Sequence, residues 1–242
     1  MRNHNQEYQD NTRQYAYKFD TIVRTYLLRA FEAHLQSTGA TLELGCYKGD
    51  MTEQILHYVK SLTVIEASSD LAAAVRERFG EKVAVITSTF EAAQLKEKFD
   101  NIFIVHVLEH LDDPIGVLKK IRTWLAPAGR LFVAVPNANA LSRQIAVKMG
   151  LIEHNAAVTP AEAEHGHRRT YTLDALQEHL RQGGYRIIDA GGVLVKPLAN
   201  FQFDQAIALG IVGDAYLDGC NELAKTYPEL SASLFAVCAK QN

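Results

Sequence analysis

The stretch Glu43-Leu-Gly45-Cys46-Tyr47-Lys48-Gly49 follows a short apolar run and precedes a helical pattern at 50–59. Glycine lacks the Cβ that would keep a ligand away, so a strand-to-helix turn of this kind lets backbone N–H groups approach a charged ligand. The spacing Gly45-x-x-x-Gly49, with an acid two positions before Gly45, differs from the G-x-G-x-x-G of dinucleotide sites. The turn therefore predicts a ligand site, although a tight strand-to-helix turn also needs glycine without any ligand.

The residues around this turn alternate between short apolar runs and helical stretches. The apolar runs are continuous in hydrophobicity, as at 102–105 and 131–135, and this suits strands covered by helices on both faces of a parallel sheet. The pattern predicts an α/β fold with a doubly wound, mostly parallel, seven-stranded, Rossmann-like sheet. Strands are expected at 41–45, 61–66, 82–87, 99–106, 129–136, 185–190 and 233–239, and helices at 14–36, 50–59, 69–79, 91–96, 112–125, 138–149 and 172–182.

The chain is expected to form one domain over residues 1–242. We divide it into an N-terminal helical lid at 1–38, a cofactor-binding core at 39–192, an insertion at 193–230 and a last strand at 231–242. The lid carries the aromatic residues Tyr8, Tyr15, Tyr17 and Phe19, which suit either a cover over a ligand or an ordinary core helix. The insertion suits either a pocket for a substrate or a contact between two copies of the chain, so a homodimer is one hypothesis.

The composition of the chain limits the kinds of partner that it is expected to bind. The chain has 25 basic and 28 acidic residues among 242, a net charge of -3, which gives no general attraction for nucleic acid or anionic lipid. No run of about 18 apolar residues and no signal peptide is visible, so we expect a soluble, cytoplasmic protein without a membrane partner. Its three cysteines share no C-x-x-C spacing and are expected to be reduced thiols.

Two later positions fit an adenosyl ligand. Glu66 ends the second predicted strand, followed by Ala67, and a carboxylate there can accept hydrogen bonds from both ribose hydroxyls. A dinucleotide fold also carries an acid at this place, and an exposed strand-end carboxylate is the structural alternative. After the third strand, Thr89 and Phe90 can contact adenine, although Phe90 can equally pack a helix onto the sheet.

The block Phe99-Asp-Asn-Ile-Phe-Ile-Val-His-Val-Leu-Glu-His-Leu-Asp-Asp-Pro114 makes the resemblance specific, above all Val107-Leu-Glu-His110. It resembles the fourth-strand block of class I S-adenosylmethionine-dependent methyltransferases of the ubiquinone and menaquinone biosynthesis type. The resemblance covers residues 40–190. Glu43, Gly45 and Gly49 match the family's E/D-x-G-x-G-x-G pattern, whereas Tyr47 stands where its middle glycine usually does, at a steric cost if its φ is positive.

The resemblance implies S-adenosyl-L-methionine as cofactor, S-adenosyl-L-homocysteine as product, and methyl transfer to a small-molecule acceptor, with oxygen as the expected site. In the family the acidic residue of the turn, here Glu43, orders the loop and reaches the cofactor's amino group directly or through water. The expected cofactor-binding residues are Glu43, Gly45, Cys46, Tyr47, Gly49, Glu66, Ala67, Thr89, Phe90, His106 and Tyr17.

The chemistry requires alignment of a nucleophile with the methyl group and exclusion of water, and a base is needed only for a protonated nucleophile. His106, His110 and His167 are the candidate catalytic residues because histidine titrates in the useful range. A lone histidine at a strand end is as often a hydrogen-bonded structural residue.

A second polar block, Glu164-His165-Gly-His167-Arg168-Arg169-Thr-Tyr171, resembles the family's His-x-Arg-x-Tyr segment facing the acceptor. Arg169 and Tyr171 are the expected substrate-binding residues, since arginine can bind an anionic acceptor bidentately. The alternative is a solvated loop whose Thr172 caps the next helix. No metal is expected, because no further ligands are spaced to complete a site with His165 and His167.

Two other functions remain open at this point. A nucleotide-dependent oxidoreductase could use the same sheet and Glu66, but the turn spacing argues against it. A non-catalytic S-adenosylmethionine-binding protein is the other, since Tyr47 departs from the family pattern.

Overall fold

The computed structural model describes residue 5 and residues 17–241. Its centre is a seven-stranded sheet in the order β3-β2-β1-β4-β5-β7-β6. Strands β1 to β5 run parallel, and β7 is antiparallel to both β5 and β6. This confirms the predicted doubly wound, mostly parallel fold. The strands are β1 Thr41–Leu44, β2 Leu62–Glu66, β3 Val83–Thr87, β4 Phe99–Val105, β5 Leu125–Pro136, β6 Tyr185–Val195 and β7 Ser231–Lys240.

Helices cover both faces of the sheet. Within the described residues they are α1 Lys18–Phe31, α2 Asp50–Ile55, α3 Ser69–Phe79, α4 Pro114–Trp124, α5 Leu141–Lys148, α6 Pro160–Glu164, α7 Leu173–Gln182, α8 Asn200–Ala208 and α9 Asp214–Thr226. Short 3-10 turns follow α1 at Glu32–His34 and follow β4 at Leu108–His110.

The helix expected at 91–96 is wrong, because only a turn forms there. Ala93 N donates to Thr89 O at 3.0 Å and Ala92 N donates to Thr89 Oγ1 at 3.2 Å, after which the chain runs without regular structure. A helix this short forms too few i to i−4 bonds to offset its nucleation. The equally short α6 forms because Thr159 and Glu162 build a capping box around its first turn.

The two sides of the sheet bury separate apolar clusters. On one side, aromatic rings join α1 to the sheet: Phe103 stacks on Phe132 with ring centroids 4.8 Å apart, and Phe31 lies 5.1 Å from Phe132. On the other side, α4 and α7 cover the sheet through Trp124 and Leu176. The C-terminal half of α1 is thus a core element, which leaves only its first turns free to act as a cover.

The insertion expected at 193–230 begins later than predicted. Strand β6 continues to Val195, so residues 193–195 are strand, and the insertion proper starts at 196 and holds α8 and α9. Tyr8 and Tyr15 lie outside the described residues. Within the part of the chain that the structure describes, no helix is long and apolar enough to cross a membrane.

Parallel strands place their carboxyl ends at one edge of the sheet. Gly45, Ala67 and His106 directly follow β1, β2 and β4, which are neighbours in the sheet order. In doubly wound sheets, ligands bind outside this edge where the strand order reverses. The fold therefore directs three of the predicted site segments toward one place.

Candidate active site

The turn after β1 adopts a left-handed backbone at three positions, with φ of 75° at Gly45, 51° at Tyr47 and 87° at Gly49. A Cβ added at Gly45 would lie 2.9 Å from Val107 Cγ2, and one added at Gly49 would lie 2.5 Å from Phe79 Cε2. Both glycines are therefore required by close packing as well as by conformation. Tyr47 takes the left-handed conformation itself, so it preserves the path of the turn at a conformational cost.

Glu43 lies beneath this turn rather than in front of it. Thr52 Oγ1, in α2, donates a hydrogen bond of 2.6 Å to Glu43 Oε2. Burial raises the pKa of Glu43 to about 7, although the Thr52 hydrogen bond lowers it. Glu43 is absent from the wall of the cavity described next, so its position supports the expected role of ordering the turn and not a direct contact with a ligand.

A cavity of about 460 Å³ opens at the carboxyl ends of β1, β2 and β4. Its volume is typical of a site that encloses a small molecule. The predicted site residues on its wall are Tyr17, Gly45, Cys46, Tyr47, Glu66, Ala67, Phe90, His106, His110 and His167. Glu43, Gly49, Thr89, Arg169 and Tyr171 are not on this wall.

Glu66 is held rigidly on one side of the cavity. Its Oε1 accepts a hydrogen bond from Ser68 N at 3.0 Å, and its Oε2 accepts one from Tyr47 N at 3.2 Å. The Cys46 thiol also points to Oε2, at 3.8 Å. Each carboxylate oxygen can accept more than one hydrogen bond, and Glu66 lies on the cavity wall. A carboxylate acceptor in this place suits the ribose hydroxyls of an adenosyl group.

The segment after β3 supplies one of its two expected contacts. Phe90 is buried on the cavity wall and would be 3.6 Å from a Cβ at Gly45, so its ring borders the glycine turn. Thr89 instead turns toward the backbone, where its Oγ1 accepts the hydrogen bond from Ala92 N. The position of Thr89 therefore does not favour a contact with adenine.

His106 is held as a structural element at the end of β4. It has a left-handed backbone with φ of 54°, and its Nε2 lies 3.0 Å from Ser233 Oγ. Burial lowers the pKa of His106 to about 3, with a smaller contribution from Arg24. The ring is consequently neutral at physiological pH and a weak proton acceptor.

Glu109 is the unexpected group of the site. It is 1% exposed, lines the cavity, and neither carboxylate oxygen has a hydrogen-bond partner among the described residues. Burial raises its pKa to about 8. A buried carboxyl group without a partner is costly, so such a group indicates a function.

Two histidines stand beside this carboxyl group. His110 Nε2 lies 4.0 Å from Glu109 Oε1, and the rings of His110 and His167 meet edge to face with centroids 4.6 Å apart. Burial lowers the pKa of His167 to about 4. The ligand atoms of the three side chains lie within 4.8 Å of one another, a set that can hold a metal ion. Sequence spacing did not indicate these neighbours of His167, because the turn after β4 and the later loop converge only in space, and the absence of a metal stays a prediction.

Arg169 and Tyr171 do not line this cavity, although Arg169 lines a small neighbouring pocket with Glu109 and His167. Tyr171 is 1% exposed in the core, with its hydroxyl 3.2 Å from His179 Nδ1, and Arg169 donates to Asp112 O at 3.0 Å. Thr172 caps α7 by accepting from Ala175 N, as the loop alternative predicts. Tyr171 therefore packs in the core beside the site, and a contact between Arg169 and the acceptor stays a prediction.

Arg24, Asp20 and Asn200 line the cavity but were not found from the sequence, and neither was Glu109. A charged side chain on the apolar face of a predicted helix is a usable signal for Arg24, and a carboxylate between apolar residues is one for Glu109. Asn200 carries no local signal, because only the packing of α8 on α1 brings it to the wall.

Comparison with known proteins agrees with this geometry. Residues 13–190 match a family model described as a methyltransferase domain. The ubiquinone biosynthesis O-methyltransferase of Xanthomonas axonopodis pv. citri is 27% identical over 72% of this chain and 74% of its own.

Solved structures show the same fold. The N-methyltransferase NodS of Bradyrhizobium japonicum, in complex with S-adenosyl-L-homocysteine, has a TM-score of 0.59 at 16% identity, covering 98% of this chain and 99% of its own. The 1,6-didemethyltoxoflavin-N1-methyltransferase of Burkholderia thailandensis has a TM-score of 0.64 at 17% identity, covering 98% and 85%.

The matched domain contains Gly45, Glu66, His106 and His110, which lie on the cavity wall. The chain therefore belongs to the methyltransferase-domain family, and it is an S-adenosylmethionine-dependent methyltransferase.

Proposed function

We propose that this enzyme methylates a hydroxyl oxygen of a small-molecule acceptor that enters the same cavity as the cofactor. The observation that carries the proposal is the continuity of the cavity, which joins the Glu66 wall to the wall of Glu109, His110 and His167. The O-methyltransferase activity in the name of the Xanthomonas relative supports oxygen as the site. Family membership favours turnover over both a non-catalytic binding protein and an oxidoreductase.

The cofactor half of the cavity is built for an adenosyl amino acid. Bound S-adenosylmethionine supplies an activated methyl group on its sulfonium sulfur. Glu66 would accept the ribose hydroxyls, while Phe90 would border the base. The turn residues Gly45, Cys46 and Tyr47, together with Ala67 and Tyr17, would complete the wall around it.

Arg24 is suited to the carboxylate of the cofactor. It is half-buried on the cavity wall and, among the described residues, has no ion-pair partner within 4.0 Å. A guanidinium in such a place binds a carboxylate through two parallel hydrogen bonds. This would place the amino-acid end of the cofactor toward α1.

Glu109, in the acceptor half, is suited to take a proton. The pKa values of His106 and His167 are lowered to about 3 and about 4, so both rings are weak bases. Glu109 has the opposite perturbation, with a pKa of about 8, and faces the cavity. We therefore assign proton acceptance from the acceptor hydroxyl to Glu109, with His110 and His167 orienting that hydroxyl.

Release of S-adenosylhomocysteine from a panel of phenols, alcohols, carboxylic acids and amines tests the reaction. Turnover with hydroxyl acceptors supports the proposal, and turnover confined to amines would contradict it. Because Glu109 ionises near pH 8, kcat/KM for S-adenosylmethionine should rise about tenfold from pH 7 to pH 9.

Glu109→Gln should lower kcat by about 100-fold or more and remove this rise. Glu162→Gln is the matched control, since Glu162 also lines the cavity but is paired with Arg143 at 2.6 Å, and the rise with pH should persist. Activity lost on dialysis against EDTA and restored by a divalent cation would instead assign Glu109, His110 and His167 to a metal ion.

Three remaining expectations concern the cellular location, the role of the insertion and the oligomeric state. A cytoplasmic location is supported by three cysteines that are all buried and free. The insertion contributes Asn200 to the cavity, which favours its acceptor-pocket reading. A homodimer through the same segment stays a prediction, and gel filtration with light scattering tests it.

A further inference from the structure

The first turn of α1 is capped from a distant part of the chain. Tyr17, the residue at its N-cap, makes no side-chain capping bond. Instead, Asp204 in α8 accepts hydrogen bonds from Lys18 N at its Oδ2 and from Phe19 N at its Oδ1, both at 2.8 Å. One carboxylate thus satisfies two of the N–H groups that a helix leaves unpaired at its start.

Further contacts join the same two helices. Asn200 Nδ2 donates to Asp20 Oδ1 at 3.1 Å, and the rings of Phe19 and Phe203 meet edge to face at 4.9 Å. The buried ammonium of Lys196 lies over Phe19 at 4.8 Å and is close enough to Asp204 and Asp20 to interact with both charges. The contact is therefore a compact polar and aromatic junction.

The residues held by this junction form part of the cavity wall. Tyr17, Phe19, Asp20, Val23 and Arg24 all line the cavity and all lie at the start of α1 or one turn later. Asp204 is not on that wall. The effect of Asp204 on ligand binding is therefore indirect, through the residues of α1 that it holds in place.

We propose that Asp204 is a positioning residue, which holds the first turns of α1 against α8 and so completes the cofactor cavity. Without its carboxylate, two N–H groups at the start of α1 lose their partner, and the first turn frays more often. When only part of the population has a complete site, apparent affinity falls in proportion to that fraction. Loss of a cap typically changes such an equilibrium by about fivefold to tenfold, and the dissociation constant rises by at most that factor.

A matched control lies further along the same junction. Asp218 in α9 accepts a hydrogen bond from Tyr26 Oη at 2.7 Å and pairs with Arg29 at 3.2 Å. It therefore also ties α1 to the insertion, but its two partners do not line the cavity. Asp218→Ala should lower stability without changing the wall.

The experiment is a calorimetric titration of the full chain with S-adenosylhomocysteine, alongside urea unfolding of each variant. Asp204→Ala should raise the dissociation constant by more than about twofold and up to about tenfold, and Asp204→Asn, which keeps one acceptor oxygen, should raise it by less. Asp218→Ala should leave it within about twofold, since neither Tyr26 nor Arg29 lines the cavity. The rate of amide hydrogen exchange at residues 18–24 should increase in Asp204→Ala. Binding of S-adenosylhomocysteine should lower that rate again.

The inference rests on the proposed cofactor site. Titration of the unaltered chain distinguishes a failure of that site from a failure of the role of Asp204. If the unaltered chain does not bind S-adenosylhomocysteine, the proposed site itself is wrong. If it binds, and Asp204→Ala and Asp218→Ala weaken binding equally or not at all, only the role of Asp204 is overturned. Equal losses of stability in the two variants with a selective loss of affinity in Asp204→Ala would support it.

Discussion

Glu43→Gln is expected to remove one pH-dependent part of the folding free energy. Burial raises the pKa of Glu43 from its usual 4.5 to about 7, so the native state binds this proton more tightly than the unfolded chain does. Stability contributed by such a group is full below pH 4.5 and is lost as the pH rises through about 7. The gap between the two values corresponds to about 3 kcal/mol at high pH.

Urea unfolding of both proteins at pH 5, 6, 7 and 8 measures this quantity. Glutamine keeps the shape of the side chain and can still accept the hydrogen bond from Thr52 Oγ1. The free energy of unfolding of the unaltered chain should fall by about 2 to 3 kcal/mol relative to Glu43→Gln between pH 5 and pH 8. Glu109, which also has a raised pKa, is present in both proteins and cancels from the comparison.

The control is Glu162→Gln, because the pKa of Glu162 is lowered by Arg143 and Thr159 despite its partial burial. Its contribution should have the opposite sign, present at neutral pH and lost as the pH falls below its usual range. Parallel stability curves for Glu43→Gln and the unaltered chain would refute the reasoning. Glu43 would then be ionised in the native protein, stabilised by partners other than Thr52.

Two further changes test the cofactor wall and the turn. Glu66→Ala should weaken S-adenosylhomocysteine by about 1 to 3 kcal/mol in a calorimetric titration, because charged hydrogen bonds are lost, and an unchanged affinity would remove Glu66 from the site. Gly49→Ala should lower the free energy of unfolding by about 1 kcal/mol or more, because its φ is 87° and the new Cβ would meet Phe79 Cε2 at 2.5 Å. Unchanged stability in Gly49→Ala would show that the turn adjusts at little cost.

Local sequence was sufficient to predict the strands that form from continuous apolar runs. Strands β2, β3 and β4 begin and end within one residue of their expected positions, since continuous apolar runs between helices have few alternative structures. The helix at 91–96 was wrong because its few residues supply too little local stabilisation to continue beyond the first turn.

The site was harder to predict from the sequence, because its chemistry depends on how the helices and strands pack. Tyr171 matched a family segment but packs in the core, whereas Glu109 lay inside the quoted block without an assigned role. The perturbed state of Glu109 arises from the elements that surround it, and no local pattern reports whether a carboxylate will lack a partner. Asn200 reaches the cavity only because α8 packs on α1.

The central claim is that the cavity beside Glu66 binds S-adenosylmethionine, and calorimetry tests it before any acceptor is known. Titration with S-adenosylmethionine, S-adenosylhomocysteine and NAD should give saturable one-site binding for the first two ligands and none for NAD. Binding of NAD without binding of S-adenosylhomocysteine would contradict the account.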